Sequence, residues 1–200
     1  FALHGLMGFD MNGKTAGIIG TGKIARILIR ILQGFGMKVV AYDLYPDEKY
    51  AREVGISYVS LDSLYAQADM ISLHVPLTDQ TKNMIDAQSI AKMKEGTIII
   101  NTSRGQLIHT NALIEGLKSK KIAAAGLDVY EEEEGYFYED QSDKIIDDDV
   151  LARLLSFNNV IVTSHQGFFT EEALTNIAET TLQNAEAFRT GMELKNEIYL

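Results

Sequence analysis

Hydrophobic residues come in two rhythms along this chain. Short uninterrupted apolar runs recur at Thr15–Gly20 (TAGIIG), Lys38–Asp43 (KVVAYD), Asp69–His74 (DMISLH), Thr97–Thr102 (TIIINT), Ile122–Asp128 (IAAAGLD) and Asn159–Thr163 (NVIVT). Between them the apolar positions fall at helical spacing, as with Ile24, Ile27, Leu28, Ile31 and Leu32 in residues 23–33. The same spacing predicts helices over 62–68, 87–94, 110–120 and 171–190. Strands that are apolar throughout belong to a sheet covered on both faces, and intervening helices supply right-handed crossovers. The expected fold is α/β: a doubly wound, mostly parallel sheet of the Rossmann type. The expected organisation is a dinucleotide-binding domain over 1–170, followed by a C-terminal helix and tail over 171–200.

Composition narrows the function classes. The 200 residues carry 18 basic and 28 acidic side chains, a net charge of −10. All of that excess lies in residues 128–149, which hold eleven acids and one base, Lys144. The rest is balanced and offers no basic patch, so no nucleic acid is expected as a partner. Most of the acidic run reads as a solvated loop. Without cysteine there is no disulfide, thiolate metal site or cysteine nucleophile, and no metal is expected. No apolar run is long enough to span a membrane, and no membrane partner is expected; the expected compartment is the cytoplasm.

In a doubly wound sheet ligands bind beyond the carboxyl ends of the strands. After the first strand comes Gly20-Thr21-Gly22-Lys23-Ile24-Ala25, a G-x-G-x-x-A. Gly20 permits the tight turn, Gly22 lets backbone approach a pyrophosphate, and Ala25 is small enough for helix-to-strand packing. Asp43 ends the second run, where a carboxylate accepts hydrogen bonds from ribose hydroxyls and repels a 2′-phosphate. Together they favour NAD over NADP. Three further strand ends carry Asn101-Thr102-Ser103-Arg104-Gly105, Asp128-Val129-Tyr130-Glu131-Glu132-Glu133 and Ser164-His165-Gln166-Gly167. An arginine, a carboxylate from 128–133 and a histidine suit reduction of a 2-keto acid. Arg104 would pair with the substrate carboxylate, His165 would protonate the carbonyl oxygen, and the acid would orient His165.

The motifs GTGKIA with Asp43, SLHVPLT (72–78), NTSRG (101–105), GLDVYEEE (126–133) and HQGFFT (165–170) together resemble the D-2-hydroxyacid dehydrogenases, most closely their NAD-dependent fermentative D-lactate dehydrogenase branch. The resemblance runs over essentially the whole chain. It implies an oxidoreductase that reversibly reduces pyruvate to D-lactate with NADH. The alternatives are a dehydrogenase for bulkier 2-keto acids and a non-catalytic NAD-sensing, corepressor-like protein of the same fold. It implies Arg104, Glu133 and His165 as the catalytic set, with Glu133 the partner of His165. It implies Lys23 and Ile24 on the pyrophosphate, Asp43 on the adenosine ribose and Val75 and Pro76 on the adenine side. It further implies Thr81 as a cofactor contact, Thr102, Ser103 and Arg104 lining the nicotinamide side, and Asp128 holding the nicotinamide or its carboxamide. A homo-oligomer, dimer or tetramer, is expected. His109, where the family commonly has Asp, reads as a solvated helix N-terminal residue, and His74 as a buried structural one. The family carries a further, smaller domain ahead of this region. The chain is therefore expected to be a fragment that binds NADH but turns over poorly.

Overall fold

A computed structural model describes residues 8–131 and 148–198. The chain divides into two units, residues 1–164 and 165–200.

The first unit is built on seven parallel strands: β1 (Thr15–Ile19), β2 (Lys38–Tyr42), β3 (Ser57–Tyr58), β4 (Met70–Leu73), β5 (Thr97–Asn101), β6 (Ile122–Leu127) and β7 (Val160–Val162). Their order across the sheet is β3-β2-β1-β4-β5-β6-β7, so the chain winds outward from β1 in both directions. The reversal lies between β1 and β4, which pair from Ala16 opposite Met70 to Ile19 opposite Leu73. The connecting helices are α1 (Lys23–Gly34), α2 (Glu48–Val54), α3 (Leu61–Gln67), α4 (Ala87–Lys92), α5 (Thr110–Lys118) and α6 (Asp149–Leu155). The sheet separates two apolar layers. One gathers Ile19, Leu64, Ile71, Leu73, Ile99, Leu113 and Ile122 under α3, α4 and α5. The other gathers Ala16, Ile18, Ala25, Ile29, Val39 and Ala41 under α1 and α2.

All six expected strands form, and the doubly wound α/β architecture is as expected. Three elements escape the hydrophobic pattern. β3 is two residues long and pairs only with Val40 and Ala41. α2 is seven mostly polar residues that bury only Tyr50 and Ala51. α6 begins inside the acidic run, where the Asp148 carboxylate accepts the amides of Val150 and Leu151 and caps it. The apolar stripe of α1 also divides: Ala25, Ile29 and Leu32 are buried, whereas Ile24, Ile27 and Ile31 face outward.

In the second unit a single helix, α7 (Glu171–Thr190), follows the HQGFFT segment. The Thr170 hydroxyl accepts the Ala173 amide, Glu171 and Glu172 sit in the first turn, and left-handed Gly191 ends the helix.

Candidate functional site

β1 ends at Ile19 and the chain turns sharply at Gly20, whose φ is +90°. A Cβ there would lie 2.7 Å from the His74 carbonyl oxygen, so both the conformation and the space demand glycine. Gly22 differs: a Cβ on it would meet nothing within 4 Å. It is the N-cap of α1, and no side chain caps that helix. The first turn of a twelve-residue helix thus opens onto free space, the arrangement that receives a phosphate. Lys23 and Ile24 are exposed in that turn. A cavity of about 320 Å³ lies beside it, lined by Gly22, Lys23, Ile24, Ala25, His74, Thr102 and Ser103. These features fit a dinucleotide pyrophosphate.

Asp43 follows β2 at the same edge. Its Oδ2 accepts the amide and the hydroxyl of Thr21, each at 2.7 Å, and its Oδ1 accepts the Tyr45 amide at 2.9 Å. The Thr21 hydroxyl also lies 2.8 Å from the Tyr58 hydroxyl. Burial by itself would raise the Asp43 carboxyl. The Tyr45 and Thr21 amides, the Thr21 hydroxyl and the Arg26 charge outweigh it, and the group sits below the usual carboxylate range. Asp43 is therefore an ionised acceptor at neutral pH, as a ribose-binding carboxylate must be.

The loop after β4 carries Val75, half-buried, and Pro76, exposed. The Thr81 hydroxyl donates to the Pro76 carbonyl at 2.7 Å and accepts the Thr78 amide at 2.8 Å, stapling this turn. His74 is part-buried, with Nε2 2.9 Å from the Ser72 hydroxyl, and burial lowers its pKa. Its expected structural role fits, but His74 also lines the cavity beside the phosphate loop.

After β5, the fully buried Asn101 accepts the Ser103 amide at 3.1 Å and donates to the Arg104 carbonyl at 2.9 Å. This is an Asx-type turn with a second latch. The Ser103 hydroxyl donates to the Val75 carbonyl at 2.7 Å, stitching the β5 loop to the β4 loop. Arg104 emerges exposed; its guanidinium donates to the Ser103 carbonyl at 2.7 Å and makes no ion pair among the described residues. Gly105 follows because its backbone presses on the next loop: a Cβ would fall 1.9 Å from the Tyr130 carbonyl oxygen.

After β6, the Asp128 amide donates to the Asn101 carbonyl at 2.9 Å, and the Asp128 carboxylate accepts the Thr163 hydroxyl. The Glu131 carboxylate accepts the Thr110 amide at 3.0 Å at the start of α5. It is thereby committed to a helix end. Tyr130 donates to Asp148 at 2.7 Å. The expected Glu133 lies outside the described residues, as does Glu132. His165 opens the second unit with φ of +52°. A left-handed backbone is uncommon for a residue with a side chain, and such strain gathers at functional positions. His109 is an exposed N-cap whose Nδ1 accepts the Ala112 amide at 3.3 Å, as expected of a solvated helix terminus.

Thus Gly20, Gly22, Lys23, Ile24, Asp43, Val75, Pro76, Thr81, Thr102, Ser103, Arg104 and Asp128 all follow strands of one parallel sheet at their carboxyl ends. The sequence pattern had not singled out Thr21, Tyr58 or Asn101 for the contacts that shape this edge. Asn at a strand end before Thr-Ser is a turn signal that could have flagged Asn101; nothing local marks Tyr58, which lies 37 residues from Thr21.

Residues 2–167 match the family described as D-isomer specific 2-hydroxyacid dehydrogenase, NAD binding domain. The D-lactate dehydrogenase of Escherichia coli is 50% identical over 198 residues, covering 99% of this chain and 60% of that protein. An aromatic 2-oxoacid reductase of Clostridium sporogenes is 51% identical over 198 residues, covering 98% and 59%. The solved structure of the pyruvate reductase of Chlamydomonas reinhardtii superposes with a TM-score of 0.91 at 44% identity, over 98% of this chain and 60% of that one. The chain thus spans about three-fifths of the length of these relatives.

Proposed function

The chain belongs to the D-isomer-specific 2-hydroxyacid dehydrogenase family, and from that premise we propose that it is the cofactor-binding and catalytic part of an NADH-dependent reductase of pyruvate to D-lactate. The observation that carries this reading is the single sheet edge that holds an open, uncapped helix start, an ionised ribose acceptor and an exposed arginine. Bound NADH supplies the hydride that reduces the substrate carbonyl. Gly22, Lys23 and Ile24 hold the pyrophosphate, and Asp43 holds the adenosine ribose. Val75, Pro76 and Thr81 border the adenine side. Thr102, Ser103 and Asp128 position the nicotinamide. Arg104 pairs with the substrate carboxylate and polarises the carbonyl next to it. His165 delivers a proton to the carbonyl oxygen, and Glu133 is its partner, orienting the ring. Residues 171–200 form the segment that returns to the remainder of the protein.

The test is NADH oxidation with pyruvate, followed by absorbance in the full-length protein. His165→Ala is expected to lower turnover by about 100-fold or more; an unchanged rate rejects the assignment. A second reading, a reductase of bulkier 2-keto acids, is favoured by the 51% identity to an aromatic 2-oxoacid reductase. Ranking kcat/KM for pyruvate against phenylpyruvate decides between the two. A homo-oligomer fits the outward-facing Ile27 and Ile31 of α1, and sedimentation of the full-length protein checks it. Among the described residues no helix is long and apolar enough to cross a membrane.

A further inference from the structure

One cation beside the ribose end has no part in the reading above, on which this inference rests. Arg26 follows the phosphate loop on α1. Its Nε donates to the Thr21 carbonyl at 3.0 Å, and its terminal nitrogen reaches Asp47 Oδ2 at 2.8 Å. Its guanidinium lies 4.1 Å from the centre of the Tyr50 ring. From the other side, the amide and hydroxyl of Thr21 both donate to Asp43. A single residue, Thr21, thus separates an arginine from the carboxylate assigned to the ribose.

These two groups pull cofactor choice in opposite directions. A carboxylate at the ribose repels a 2′-phosphate, whereas an arginine near the ribose accommodates one. The arginine here is occupied. Asp47 takes its charge, and the other Asp47 oxygen accepts the Tyr50 amide at 3.0 Å as the N-cap of α2. The helix start therefore fixes where the Asp47 carboxylate stands.

We infer that Asp47 is a positioning residue for cofactor specificity: by holding Arg26 it withholds from the ribose a cation that would otherwise receive a 2′-phosphate. Preference for NADH over NADPH then rests on two carboxylates, Asp43 at the ribose and Asp47 through Arg26. The ion pair is partly solvated, with 36% and 40% of the two side chains exposed, so its hold is modest and its release readily detected.

The test is fluorescence titration of the chain with NADH and NADPH, with 2′,5′-ADP and 5′-ADP as competitors. Asp43→Ser removes the direct repulsion, and Asp43→Asn serves if the serine variant folds poorly. Adding Asp47→Asn keeps the helix cap, because Asn caps as well as Asp, but removes the charge. In that background Asp47→Asn is expected to tighten NADPH and 2′,5′-ADP about fivefold while NADH and 5′-ADP change less than about twofold. The gain should vanish at high salt and on further Arg26→Gln. An unchanged NADPH-to-NADH ratio on Asp47→Asn, or a gain that survives Arg26→Gln, overturns the inference. Failure of the unsubstituted chain to bind NADH overturns the dinucleotide reading itself, and the inference with it.

Discussion

Asp43 closes β2 with both carboxylate oxygens already engaged, by Thr21 and Tyr45. Arg104, three residues past β5 in the same sheet, carries an exposed guanidinium whose partner is the carbonyl of its own neighbour. The end proposed for the ribose is thus set by bonds within the chain. At the end proposed for the nicotinamide the chain holds the backbone instead, through Asn101, Ser103 and Gly105, and leaves the Arg104 side chain exposed. The difference follows from the tasks assigned to the two ends. A ribose acceptor needs a fixed, ionised oxygen pair, and prior hydrogen bonds keep it ionised. A residue that must meet a substrate cannot have its donors already spent on the protein.

The sharpest break in this contrast is at Arg104. In the full-length protein Arg104→Gln is expected to lower kcat/KM for the 2-keto acid about 100- to 1000-fold, with stability changed by less than about 0.5 kcal/mol because the side chain is exposed. A large fall in melting temperature would show that Arg104 is structural and erase the contrast.

Next is Gly105→Ala. Its methyl group would collide with the Tyr130 carbonyl, at a cost of about 3 kcal/mol in urea unfolding. The loop carrying Asp128 should shift with it, and NADH binding should weaken. An unaffected midpoint would mean that the two loops do not press on each other.

Asn101→Ala removes both latches of the same turn: the part-buried Ser103 amide loses its Asn101 acceptor, and the Arg104 carbonyl keeps the Leu107 amide alone of its two donors. About 1–3 kcal/mol should be lost, with NADH affinity falling in the same variant. Loss of stability without loss of affinity would separate the turn from the site.

The smallest effect is the pH response of Asp43. Its native carboxyl lies below the unfolded value of about 3.9. Its ionised form therefore adds stability above that pH, and the contribution fades as pH falls through the lower native value. The stability difference between the unsubstituted chain and Asp43→Asn should be greatest at neutral pH and shrink in acid. A difference that grows in acid would contradict a carboxylate held ionised by its neighbours.

Much of this was legible in the chain itself. Six apolar runs separated by helical spacing dictated a covered parallel sheet, because period and burial are local properties of sequence. The strand-end motifs placed the candidate residues, because a parallel sheet delivers all its carboxyl ends to one edge. The elements that escaped were those stabilised by few apolar contacts, such as β3 and α2, whose positions depend on neighbours distant in sequence. The outward half of the α1 stripe escaped as well, since helical spacing marks an apolar face without saying what covers it.

The order of motifs along 200 residues determined the fold class and the membership in a dehydrogenase family, because glycines, a strand-ending acid and turn-forming residues have short-range steric and electrostatic consequences. Only the tertiary structure decided how those motifs are held. It put Tyr58 on Thr21, Ser103 on Val75 and Tyr130 against Gly105. It also seated Arg26 between Thr21 and Asp47. Apart from Arg26 and Thr21, which are five positions apart, those contacts join residues 21 to 37 positions apart, and no local pattern encodes them. They arise because the sheet order brings separate loops within hydrogen-bonding distance of one another.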